Sequence, residues 1–170
     1  MHSWKKIVAE STPVLLVCSF FSVLAGVTLE SNLAVLAAFP SLLLLLPAFI
    51  DSCGDLSEIF AAHLSSFLHC EKSERKERKE IILNVKATTI LSFGLFFFLA
   101  VASYWLSQAL GLSLPSFPNY IGAVMASAVV SIIAAMAVAT AIAVVTFRHK
   151  LDPDDFESPM LSTLNDLAGT

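Results

Sequence analysis

At 170 residues the chain has the length of one domain, and 56% of it is hydrophobic with a mean hydropathy of +0.79. Soluble proteins use only about 45–50% apolar residues, so composition excludes a soluble globular domain and points to a polytopic membrane protein. The net charge of −4 matters less than where the charges fall.

All ten basic residues sit in three clusters: Lys5 and Lys6, six between Lys72 and Lys86, and Arg148 with Lys150. Two apolar segments separate the first cluster from the second, and two more separate the second from the third. An even number of crossings puts all three clusters on one face, which the positive-inside rule makes cytoplasmic. The intervening turns, Glu30 to Asn32 and Gly111 to Asn119, lack Lys and Arg and are expected outside. A cleaved signal peptide is a poor fit to the start, because Glu10 and Pro13 fall where its apolar core should begin. The expectation is one domain over 1–170, with spans near 13–29, 33–69, 88–110 and 120–147, a partial span at 159–170, and a cytosolic loop at 71–86.

In the first span, Ser11 and Thr12 before Pro13 read as a cap followed by proline at a tolerated first helical position. Glu30 closes this span at the outer boundary, as a solvated helix-end acid or as part of an ion entrance. The second span opens with eighteen uncharged residues, Leu33 to Ile50. Pro40 and Pro47 within it remove backbone donors, so a bend is expected. At ~1.5 Å per residue, 33–69 would reach ~55 Å, which requires projection into the cytoplasm or a break near Gly54. The loop that follows, EKSERKERKEIILNVK, interleaves its signs as a solvated surface helix or hairpin does. Its four Glu residues offset six basic ones, which argues against nucleic-acid binding. The third span, rich in Phe93, Phe96, Phe97 and Phe98, reads as lipid-facing, with Tyr104 and Trp105 in an external aromatic belt. In the fourth span Ala123, Ser127, Ser131, Ala135, Ala139 and Ala143 recur every four residues, a row that lets helix backbones approach closely in lipid. Beyond it, Asp152-Pro153 and Ser158-Pro159 are successive helix-start signals. The twelve residues from Pro159 to Thr170 reach only ~18 Å, so the fifth span is expected to be cut short.

The chemistry lies in the acids. Asp51, Asp55 and Glu58, spaced i, i+4, i+7, share one face of a continuous helix. Ser162, Asp166 and Thr170 form a second polar stripe. Asp152, Asp154, Asp155 and Glu157 cluster at the cytosolic mouth. No Lys or Arg lies in 33–70. Carboxylates at membrane depth are costly and line bundle interiors or ion paths. Hard oxygen ligands suit Mg²⁺, Ca²⁺ or Mn²⁺ rather than zinc or copper. Neither Cys18, Cys53 and Cys70, which form no CxxC pair, nor His63 and His69 have metal-site spacing, so they read as packing residues.

On these residues the chain resembles the membrane domain of the MgtE magnesium channels, and more closely one repeat of the related eukaryotic solute-carrier magnesium transporters. GDLSEIFAAHLSS resembles the family's Gly-Asn signature in the second span. KLDPDDFESPMLSTLNDLAGT resembles its Asp-Pro turn and the Thr-Thr-x-x-Asp start of its last pore helix, here Ser162, Thr163, Asn165 and Asp166. Glu30 falls where the family has a Glu closing the first helix. The resemblance implies an all-α homodimeric pore domain of about five transmembrane helices, carrying Mg²⁺ between two copies. It makes Asp166, Asp152, Asp55 and Asp51 the metal-binding residues, with Gly54, Glu58, Glu30, Ser162, Thr163 and Asn165 along the path. Asp55 departs from the family's Asn and makes the path more acidic. The cytosolic sensor domains of the bacterial channels are not among these residues, so gating by them is not expected. A cation/proton exchanger remains an alternative within transport. Outside it stand an intramembrane aspartyl hydrolase using Asp55 and Asp166, whose Gly-x-Gly-Asp signature is incomplete at Ser52, and a scaffold without transport.

Overall fold

The computed structural model describes residues 4–69, 74–149, 159–164 and 166, and among them there is helix but no strand. Five helices follow in order: α1 (Trp4–Ser31), α2 (Leu33–Ala38), α3 (Pro40–His69), α4 (Glu74–Ala109) and α5 (Phe117–His149). A further helical stretch covers 159–164.

Several boundaries differ from expectation for local reasons. The helix α1 begins at Trp4 rather than at Pro13. The Thr12 hydroxyl donates back to the Val8 carbonyl, an i−4 bond that keeps the chain helical ahead of the proline instead of capping a new start. The long second segment breaks at Phe39, which leaves helical geometry (φ −128°, ψ 76°), and not at Gly54. Residues before proline are steered out of the α region, and Pro40 then sits at a helix start where its missing N–H costs nothing. Past that point α3 runs unbroken for 30 residues through Pro47 and Gly54. The charged stretch before the third span is helical from Glu74 and continuous with it, giving α4 36 residues. At its far end Gly111 (φ 68°) closes α4. Leu112 N–H bonds Ser107 O and Gly111 N–H bonds Gln108 O, at 3.0 and 3.1 Å, the paired bonds of a Schellman cap.

The helices α3, α4 and α5 form one packed unit, with α4 antiparallel to the other two. Cross-contacts fix the levels. At one end Tyr120 Oη meets Ser103 Oγ at 3.1 Å and donates to Ser41 O at 3.4 Å. Below it Phe49 packs against Phe96 in a tilted pair, with centroids 4.7 Å apart. Lower still, Asn84 Nδ2 donates to Phe60 O across α4 and α3 at 3.1 Å. Two apolar clusters fill the interior, one around Phe49, Phe96 and Val124 and one around Phe60, Leu64, Ala139 and Ala143. The helix α1 stands apart and touches α2, with Cys18 resting on the 159–160 backbone.

Three helical stretches are long and apolar enough to cross a membrane: Thr12–Ser31, Lys79–Ala109 and Phe117–Phe147. The helix α3 is long enough but interrupts its apolar run with Asp51, Asp55 and Glu58. The row on α5 divides. Ser131, Ala135, Ala139 and Ala143 are buried, whereas Ala123 and Ser127 are exposed, because the buried line at that end passes through Tyr120, Val124 and Ala128. On α4, Phe93, Phe97 and Phe98 face outward while Phe96 is fully buried, and Trp105 is exposed. Tyr104 instead turns inward and packs edge-on against Phe117 at 5.0 Å.

Two stability outcomes follow from this packing. Gly111→Ala places a Cβ at positive φ with open space around it, so its cost is conformational, about 1–2 kcal/mol, read as a lower thermal midpoint in detergent. Ala139→Leu overfills a fully buried position and lowers stability by about 1–3 kcal/mol, whereas the same change at exposed Ala126 leaves the midpoint unaltered.

Candidate functional site: an acidic face on α3

The core side of α3 is fixed by Leu45, Phe49, Cys53, Leu56, Phe60 and Leu64, all buried. At 100° per residue this leaves Asp51, Asp55 and Glu58 on the opposite side. Asp51 and Asp55 are exposed within the protomer, and Glu58 and Gly54 are half-buried. Adjacent acids on this face are separated by one helical turn, ~6 Å along the axis. That spacing suits a cation that keeps part of its water shell better than one stripped and chelated by both groups.

The depth of the face follows from its neighbours. Cys53 lies beside Ser131 of α5, near the centre of the Phe117–Phe147 span. Asp51, half a turn away, therefore lies at mid-depth.

The 159–166 stretch reaches this level from the other end of the chain. Leu161 is buried among Phe60, Leu64, Ala139 and Ala143, wedging the stretch against α3 and α5. Thr163 is buried and its hydroxyl donates to Pro159 O at 2.8 Å, holding the turn helical behind the proline. From α1, Cys18 Sγ donates to Pro159 O at 3.4 Å and touches Met160 Sδ at 3.8 Å. So anchored, Asp166 is half-buried and within electrostatic reach of Asp51. Two like charges held together in a medium of low dielectric repel strongly, and a cation between them removes that cost.

The structure thus leaves Asp166 within electrostatic reach of Asp51, with Asp55 and Glu58 further along the same face of α3. It leaves Ser162 exposed. It does not bring Glu30 to this group, since Glu30 is exposed at the end of α1, whose helix partner is α2. Asp152 and Asn165 lie outside the described residues. Among the described residues no three His, Cys, Asp or Glu side chains form a metal-binding cluster. His63 is exposed, with its ring stacked on Phe67 at 6.4 Å. Cys18 and Cys53 are free thiols.

Sequence reasoning missed the anchoring of 159–166. Only the alternation of Leu161 and Thr163 with Ser162 hinted at it, and nothing in the sequence marked Cys18.

A family model described as a divalent cation transporter, MgtE, matches residues 46–170. The match takes in the acidic face, α4, α5 and the Asp166 stretch, and omits α1 and α2. No curated protein and no solved structure gives a significant match. The family is one of transporters and not of enzymes, which speaks against the hydrolase alternative. With its carboxylates and their supporting helices inside the matched residues, the chain belongs to the MgtE family of divalent cation transporters.

Proposed function

We propose that this chain carries Mg²⁺ across the cell membrane, and that two copies meet over the acidic face of α3 to enclose the path. One observation carries the reading. Asp51 and Asp166, from opposite ends of the matched region, lie within electrostatic reach of each other on elements without Lys or Arg. A single protomer leaves Asp51 and Asp55 uncovered, and unpaired carboxylates facing lipid would be strongly unfavourable. A second copy related by a two-fold axis covers the face with its own identical patch and doubles the carboxylates around the ion.

In this reading Asp166 and Asp51 hold a largely hydrated Mg²⁺ at the centre, since Mg²⁺ gives up its water reluctantly. Asp55, Glu58, Gly54, Ser162, Thr163 and Asn165 line the way, and Asp152 adds a ligand at the cytosolic mouth. The basic clusters place the N-terminus and the 71–86 stretch on the cytosolic side. Transport by this route needs no proton, so a pH gradient leaves the flux unchanged, whereas an exchanger would respond to it.

In proteoliposomes, Asp166→Ala is expected to lower Mg²⁺ uptake at least tenfold while the protein keeps its helicity and its elution volume. Asp55→Asn restores the residue usual in the family and retains uptake within a fewfold. Glu30→Gln, remote from the carboxylates, changes uptake less than twofold. Unchanged uptake in Asp166→Ala contradicts the reading.

A further inference from the structure

A slot opens between α3 and α5 at the Tyr120 end of the bundle, with a volume of about 220 Å³. Leu42, Leu46 and Phe49 of α3 form one wall, and Ala123 and Ser127 of α5 form the other. Leu36, on α2 beyond the break at Phe39, contributes the end of it. Only Ser127 among these six is polar. The slot exists for two local reasons. The break before Pro40 tilts α2 over the start of α3, and the small Ala123 and Ser127 leave α5 without bulk where the buried line has moved to Val124.

We infer that this slot is a binding site for a phospholipid acyl chain from the adjoining leaflet. Three features select that occupant. The α5 segment that forms one wall belongs to a membrane-crossing stretch, Phe117–Phe147, so the medium outside the slot is hydrocarbon and not water. The slot extends from Leu42 to Phe49, ~10 Å along the helix, and is ended by Leu36. That is a length for part of one extended chain. Third, Leu42, Leu46 and Phe49 lie on the side of α3 away from Asp51 and Asp55. A second copy seated over the acidic face does not reach them; this last point rests on the proposed homodimer. An acyl chain there fixes the separation of α3 and α5 above the level of Cys53 and Ser131, and couples the position of the acidic face to the surrounding lipid.

The test uses the whole chain in proteoliposomes doped with stearoyl phosphatidylcholine carrying a nitroxide near its chain end. Electron paramagnetic resonance counts the motionally restricted chains per protomer. Ala123→Leu with Ser127→Leu fills the slot and is expected to lower that count. Val130→Leu with Ile133→Leu, on exposed α5 positions, leaves it unchanged. Leu46→Ala, which widens the slot, raises it, and serves as a second arm if the filled variant does not fold. Equal counts in parent, filled and widened proteins overturn the inference. So does a change in oligomeric mass on filling with no change in restricted lipid, which would assign the slot to a second copy. Loss of Mg²⁺ transport in the parent would sink the transport reading and leave these counts standing.

Discussion

Negative charge at mid-membrane, with no fixed positive charge on the same elements, is the constraint around which this chain is arranged. An ionised carboxylate in hydrocarbon costs several kcal/mol or more unless something neutralises or solvates it. The protomer places Asp51, Asp55 and Glu58 on the side of α3 that its own core does not use, and it sets Asp166 within electrostatic reach of Asp51. The hydroxyls and amide of the interior at Ser57, Asn84, Ser92, Ser103 and Tyr120 bond within the α3, α4 and α5 unit.

This division of labour explains the differing character of the helices. The helix α5 buries small residues so that α3 can approach closely, and a rigid α3 keeps its carboxylates in register. The helix α4 carries a Phe-rich outer face, one inward Phe96, and an inward Asn84 that ties it to the α3 backbone. The 159–166 stretch is held by a different logic. Leu161 inserts into the core while Ser162 is exposed and Asp166 half-buried. Its start is gripped by Cys18 of α1, so α1, outside the family match, still touches the element that bears Asp166.

Much of this was legible in the sequence, because hydropathy and charge report directly on a membrane environment. The i, i+4, i+7 spacing placed Asp51, Asp55 and Glu58 on one face, and the pattern around Asp166 marked a second acidic helix of the same family type. The errors were local. Pro40 broke the second segment through the residue before it, a steric effect on Phe39 that outweighed the flexibility of Gly54. Thr12 bonded backward and carried α1 through Pro13. The row on α5 was drawn straight, but an α-helix rotates slightly against a four-residue repeat, so Ala123 and Ser127 drift off the core. That Asp166 lies within electrostatic reach of Asp51 depends on how Leu161 seats between α3 and α5, a packing fact that no spacing rule contains.

The central claim is that Asp51 and Asp166 act on the same ion. The most direct measurement is a double-mutant cycle on divalent-cation binding to the purified protein, read by electron paramagnetic resonance of Mn²⁺. It compares the parent with Asp51→Asn, Asp166→Asn and the double variant. If one ion bridges both carboxylates, each single change removes most of the affinity and the double variant loses little more, a coupling of about 1 kcal/mol or greater. Losses that simply multiply, as for independent sites, would contradict the account.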